Sequence, residues 1–280
     1  MTQHNGRHPT LLERLGRVVA ATLRLPVNIA AMTGSARSID ERLDKLEMMI
    51  ERLAAREIPA PVVNILPDPK PNGEQQLFNA LADSALRRTV QIIETEMPHA
   101  VIYYEHAAFM KACVGLVRDS GAFCEFGVYS GTTINFIADL RPDAQIDGFD
   151  SFRGLPSEWS GYVTFDFDRA GTTPVVRPNV RLHVGWFDDT LPAYAKTIGS
   201  VAFLHIDCDL YSSTRTVFQH LGPKLMRGCV IVFDEYFHYP GFEHHERRAF
   251  AEFLRDSGRR AQWIKCCGQR AACVLDGPLD

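Results

Sequence analysis

Glu125-Phe-Gly-Val-Tyr-Ser-Gly131 follows a small apolar run, Gly121-Ala-Phe-Cys124. An acid, a glycine, and a second glycine four positions on mark a strand that hands over to a helix around a nucleotide-like ligand. Gly127 and Gly131 lack a Cβ, so the turn can be tight and the backbone can approach a ligand. Further on, Gln145-Ile-Asp-Gly-Phe-Asp150 reads as a short strand ending in a carboxylate, the group that accepts hydrogen bonds from ribose hydroxyls in doubly wound folds. There is no third glycine, and an acid precedes the first. No pyrophosphate site at a helix N-terminus is called for, so S-adenosylmethionine fits this pattern better than a dinucleotide.

A second constellation is His205-Ile-Asp207-Cys-Asp209-Leu-Tyr211 together with Asp234-Glu235-Tyr236. One acid at a strand end is ordinarily a helix cap, and Asp209, Ser212 and Ser213 are each placed to cap a helix starting near residue 213. Asp207, Asp234 and Glu235 together are another matter. Clustered carboxylates repel and lose hydration unless a cation or a proton compensates. Oxygen-only ligands suit Mg²⁺ or another hard divalent ion, which orients a hydroxyl and lowers its pKa. His238, in the loop beyond these acids, is a candidate general base. His205 sits inside a strand, where a histidine is ordinarily a core residue with its partners supplied. His244 and His245 read as surface.

The elements that must position these residues alternate. Strands are expected at 122–126, 145–150, 180–184, 201–207 and 229–234, with helices at 75–96 and 105–119 before them. A terminal antiparallel hairpin is expected over 262–267 and 270–275. This is an α/β chain with a doubly wound, mostly parallel, seven-stranded sheet. Glu125, Asp150, Asp207 and Asp234 all fall at its carboxyl edge, where such sheets bind ligands.

Residues 1–58 read as a helical N-terminal segment. Residues 10–33 are apolar with interspersed arginines. Ile39, Leu43, Leu46, Ile50 and Leu53 then form a short heptad seam. That seam suits either a dimerising helix, giving a homo-oligomer, or a helix lying on its own domain. Residues 59–73 hold five prolines in fifteen positions and read as an extended linker, leaving 74–280 as the main domain. The net charge of −4 does not suggest a nucleic-acid partner. Seven cysteines without a Cys-x-x-Cys pair read as buried thiols of a cytoplasmic protein. Neither a signal peptide nor a transmembrane segment is expected.

Four stretches carry a family resemblance: Glu125-Phe-Gly-Val-Tyr-Ser-Gly-Thr132, Gly148-Phe-Asp-Ser-Phe-Arg-Gly-Leu-Pro156, Gly185-Trp-Phe-Asp-Asp-Thr-Leu-Pro192 and Asp207-Cys-Asp-Leu-Tyr-Ser-Ser-Thr214. In this order, within residues 100–275, they resemble the macrocin O-methyltransferase family, which includes enzymes that methylate sugar hydroxyls of macrolide and aminocoumarin antibiotics. The resemblance implies a class I S-adenosylmethionine-dependent methyltransferase fold and a small-molecule, glycosylated acceptor. It implies a cofactor site at Glu125, Gly127, Tyr129, Ser130, Gly131, Thr132, Asp150, Ser151, Asp188 and Asp207. It also implies magnesium at Asp207, Asp234 and Glu235; Asp207, and His238 by its place in the loop beyond them, are the catalytic candidates. The family commonly has Asp-Asp-Tyr where this chain has Asp234-Glu235-Tyr236. Methylation of a catechol or another small acceptor, and a non-catalytic cofactor-binding partner protein, are the competing readings.

Overall fold

The computed structural model describes residues 73–276, apart from 119, 158 and 160–166. The N-terminal helical segment, its heptad and nearly all of the proline linker lie outside the described residues. The chain divides between Pro69 and Lys70, inside that linker.

In chain order the elements are α1 (Gly73–Glu96), β1 (Val101–Ile102), α2 (His106–Val114), β2 (Ala122–Phe126), α3 (Thr132–Leu140), β3 (Ile146–Asp150) and β4 (Val180–Val184). They continue with α4 (Phe187–Thr197), β5 (Val201–Ile206), α5 (Tyr211–Leu221), β6 (Leu225–Phe233), α6 (Glu246–Ser257), β7 (Ala261–Cys267) and β8 (Arg270–Leu275). The strands form one sheet in the order β1-β7-β8-β6-β5-β2-β3-β4. Only the β6–β8 and β7–β8 pairings are antiparallel.

The seven expected strands are present, and β1 is an eighth. It has two residues, Val101 and Ile102, paired in parallel with Lys265 and Cys266 of β7. Two residues are too few to show a periodicity. Helix α2 stops at Val114, short of the expected 119, because Gly115 caps it. Strand β6 begins at Leu225 rather than 229. The β5 register jumps from Val201↔Leu225 to Phe203↔Val230, so the stretch around Gly228 bulges and apolar alternation resumes only at Cys229.

Side chains alternate across the sheet and make two cores. Phe123 and Phe203 stack at 5.4 Å on one face, packed with Phe109, Met110, Ile134 and Ile137 from α2 and α3. Phe126 and Phe149 stack at 4.8 Å on the other, where Phe218, Phe233 and Phe250 bring in α5 and α6. Each buried phenyl contributes roughly 1.5–3 kcal/mol. All seven cysteines are free and buried, as expected.

Strand order reverses between β2 and β5, the point at which open α/β sheets leave a crevice. The registers Phe126↔Ile206 and Ile206↔Phe233 bring the three strand ends level. Backbone bonding continues one step beyond: Asp207 N–H donates to Phe126 O and Asp234 N–H to Ile206 O, each at 2.9 Å. Gly127, Asp207 and Asp234 therefore leave the sheet side by side.

Candidate active site

A cavity of about 1110 Å³ opens beyond those strand ends. Of the residues expected from the sequence, Gly127, Tyr129, Ser130, Thr132, Asp150, Ser151, Asp188, Asp207, Asp234 and Glu235 line it. Glu125, Gly131 and His238 are not on its wall. Glu125 is fully buried within β2, its carboxylate 3.3 Å from Nδ1 of His205, its neighbour in register. Gly131 is buried at the head of α3 with φ +78°, and a Cβ there would lie 3.1 Å from Pro174. His238 is exposed in the turn after β6 with φ +72°.

Gly127 has φ +93°, and a Cβ on it would lie 1.6 Å from the carbonyl oxygen of Asp207. The neighbouring strand end by itself demands the glycine, and the same residue lines the cavity. Asp150 organises the same turn. Its Oδ2 accepts the N–H groups of Val128 (2.8 Å) and Tyr129 (2.7 Å), and its Oδ1 accepts that of Phe152 (2.7 Å). A carboxylate offers about four lone-pair sites, so capacity remains on the cavity side for a hydroxyl. Asp188, in the first turn of α4, accepts a bond from Thr216 Oγ1 at 3.2 Å.

The acids divide into two groups that share Asp207. Asp207, Asp209 and Glu235 have carboxylate oxygens within 4.8 Å of one another, and so do the donor atoms of His205, Asp207 and Asp234. The split follows from chain geometry: adjacent residues leaving a strand point to opposite sides. Asp234 turns toward His205 and Arg270, while Glu235 turns toward Asp209 and α6. Arg270 clamps Asp234 with two bonds, Nε–Oδ1 at 2.6 Å and Nη2–Oδ2 at 2.9 Å. Burial opposes the Asp234 charge, but His205 and Arg270 outweigh it and hold the carboxyl well below its ordinary range. Burial likewise opposes a charge on His205. The carboxylates of Asp234 and Glu125 win, and its pKa is held up to about 10.

On the other side, among the described residues, no arginine bonds to the carboxyl groups. Burial and the charge of Asp234 push Asp209 up to about 7. The same two causes raise Asp207 and Glu235 well above the carboxylate range. Glu235 Oε2 is a buried atom without a hydrogen-bond partner. Three crowded carboxyl groups with an orphaned oxygen fit a hard divalent cation.

Asp209 does not take the helix-cap role that its position allows: α5 begins at Tyr211, Leu210 occupies the cap position, and no side chain caps it. Asp209 instead has φ +61° and turns into the cavity. Trp159 and Gln269 also line the wall, and no local pattern announces either. Gln269 is placed by the β7–β8 hairpin, its carbonyl accepting N–H groups of Tyr236 (2.9 Å) and Phe237 (3.3 Å).

Residues 124–236, from within β2 to just past the acids after β6, match a family described as a methyltransferase domain. A curated relative from Streptomyces olivaceus, the 8-demethyl-8-(2,3-dimethoxy-alpha-L-rhamnosyl)-tetracenomycin-C 4'-O-methyltransferase, is 27% identical over 235 residues, covering 73% of this chain and 82% of its own. These matches, to a methyltransferase domain and to a sugar O-methyltransferase, agree with the resemblance to the macrocin-type O-methyltransferases. Another such relative, demethyldecarbamoylnovobiocin O-methyltransferase of Streptomyces niveus, is 41% identical over 61 residues, 22% of each chain. The solved O-methyltransferase NovP superposes with a TM-score of 0.48 at 23% identity, covering 60% of this chain and 78% of its own. The sheet order is that of the class I methyltransferase fold, and the matches make the chain an S-adenosylmethionine-dependent O-methyltransferase. Among the described residues, no helix is long and apolar enough to cross a membrane.

Proposed function

We propose that this O-methyltransferase methylates a sugar hydroxyl of an uncharged glycoside with the help of Mg²⁺. The observation that carries the reading is a single cavity joining the Gly127–Asp150 turn to Asp207, Asp209 and Glu235. S-adenosylmethionine supplies the methyl group, and a divalent ion supplies Lewis acidity toward the acceptor hydroxyl. Gly127, Tyr129, Ser130, Thr132, Asp150 and Ser151 hold the cofactor's ribose and methionine end, and Asp188 the adenine. Asp207 and Glu235 hold the ion, with Asp209 at the third corner. Asp234 can join them through the lone pairs that Arg270 leaves free on its two oxygens.

Asp209 takes the acceptor proton. It lines the cavity with two carboxylate oxygens, so one remains available to the acceptor hydroxyl when the other faces a cation. His238, off the cavity wall, is not needed for that step. Alignment of methyl and acceptor oxygen within one cavity contributes the rest.

The cavity's charge supports the acceptor class. Its lining includes Asp150, Asp188, Asp207, Asp209, Asp234 and Glu235, and among the described lining residues there is no lysine, arginine or histidine. Even with a bound dication that wall repels a diphosphate, so a neutral glycoside fits better than a nucleotide-activated sugar. Trp159, Leu155 and Pro156 offer the apolar surface a sugar ring packs on. The relatives named as acting on a rhamnosyl tetracenomycin and on a novobiocin precursor agree with this reading.

The test is methyl transfer from labelled S-adenosylmethionine to a panel of neutral glycosides, nucleoside-diphosphate sugars and catechols, with Mg²⁺ or excess chelator. Transfer to glycosides that chelator abolishes is the expected result. Full activity in chelator sinks the metal assignment. Preference for catechols sinks the acceptor class.

A further inference from the structure

We propose that Glu246 is a positioning residue: its carboxyl fork clasps the two acid-bearing loops together and so sets the spacing of Asp207 and Asp209 relative to Glu235. Glu246 opens α6 and is fully buried. Its Oε1 accepts the N–H of Cys208 at 3.4 Å, and its Oε2 accepts the N–H of Glu235 at 3.3 Å. Cys208 stands between Asp207 and Asp209, so each oxygen grips the backbone of a different acid-bearing loop.

The location of this side chain needs a reason. A further carboxyl beside Asp207, Asp209 and Glu235 is opposed by repulsion and by lost hydration. Apolar packing does not call for one either, since Ala249 and Phe250 in the next turn of α6 are ordinary core residues. What a carboxyl offers, and an amide or hydrocarbon does not, is two acceptor atoms on one rigid fork. The positive end of α6 adds to its tolerance there.

The clasp acts where the sheet no longer does. Among the described residues, the last backbone bond between the two strand ends runs from Asp234 N–H to Ile206 O. Past it, among the described residues, the bridge between residue 208 and residue 235 passes through Glu246. With its two oxygens engaged, the fork fixes how far Glu235 stands from the Asp207–Asp209 turn. Metal ligation tolerates only a few tenths of an ångström in such spacing.

Glu246→Gln tests this, because the amide keeps the shape but turns one acceptor into a donor facing an N–H. The metal arm rests on the function proposed above. Calorimetric titration of Mg²⁺ into S-adenosylhomocysteine-loaded protein is expected to show at least tenfold weaker binding in the variant. S-adenosylhomocysteine affinity should change less than twofold, and kcat should fall while KM for S-adenosylmethionine holds. A lowered Tm with unchanged Mg²⁺ affinity and unchanged kcat overturns the proposal and makes Glu246 a structural residue only. Amide exchange in the wild-type protein tests the clasp independently of whether the variant folds. The Cys208 and Glu235 amides are expected to be protected together, and exchange of either at open-loop rates overturns it. If wild-type protein binds no Mg²⁺ at all, the metal reading fails alone, and amide exchange with the kcat–KM split still judges the clasp.

Discussion

Asp209 sits at a left-handed φ of +61° with a carboxyl that burial and the charge of Asp234 push from 3.8 up to about 7. A raised carboxyl favours the folded state while it is protonated. That contribution is complete below about 3.8, the unfolded value, and is lost as pH climbs through about 7. In metal-free protein, Asp209→Asn should therefore raise Tm by several degrees at pH 8, with the gain vanishing toward pH 4. The linked free energy is at most about 4 kcal/mol. Thermal melts in chelator across this range check it, and a gain independent of pH rejects it. Asp150 is tied to three backbone N–H groups of the cofactor turn. Asp150→Ala should cost S-adenosylhomocysteine binding roughly 1.5–3 kcal/mol, ten- to a hundredfold, by calorimetry. Unchanged affinity in a folded variant removes Asp150 from the cofactor site. These residues were legible to different degrees. Asp150 and Gly127 belong to a local strand–turn pattern. The tilt of Asp209 into the cavity depends on where α5 starts, which a run of Asp, Ser and Thr does not determine.

At the scale of elements, the terminal hairpin does more than close the sheet. Its turn carries Gln269 onto the cavity wall, and β8 carries Arg270 onto Asp234. Arg270 supplies positive charge among these carboxylates. Arg270→Met should lower metal-free stability by about 1–3 kcal/mol, less than a fully buried pair because the arginine is partly exposed. Saturating Mg²⁺ should narrow that gap, since the ion then offsets the carboxylate charge. Tm measured with and without Mg²⁺ decides it, and an equal gap in both conditions argues that metal and Arg270 act on separate groups. The hairpin was visible as two short apolar runs around Gly268. Its contact with Asp234 was not, because 36 residues separate the partners.

For the whole molecule, the division between Pro69 and Lys70 and the continuous sheet from β1 to β4 make one expectation concrete. A chain starting at Gly73 should fold with the full-length protein's S-adenosylhomocysteine affinity, because all cofactor-side residues named above lie beyond it. The N-terminal heptad, whose role is proposed as assembly, should show in a change of mass by light scattering on its removal. An unfolded truncation, or an unchanged oligomeric mass, rejects that division of labour.

From sequence alone came the alternation of strands and helices, the glycine turn, the carboxylates at the strand ends and the family resemblance. All of these are local: each is carried by neighbours within a few residues, where periodicity and turn chemistry act. Only the tertiary structure decided how those carboxylates are grouped. Adjacent Asp234 and Glu235 leave β6 toward opposite sides, so one meets Arg270 and His205 and the other meets Asp209 and Glu246. It also took Glu125 and His238 out of the cavity and brought Trp159 and Gln269 into it. Which charges face one another depends on strand order and register, and those are set by packing the two cores against the sheet, a property of the whole chain rather than of any stretch of it.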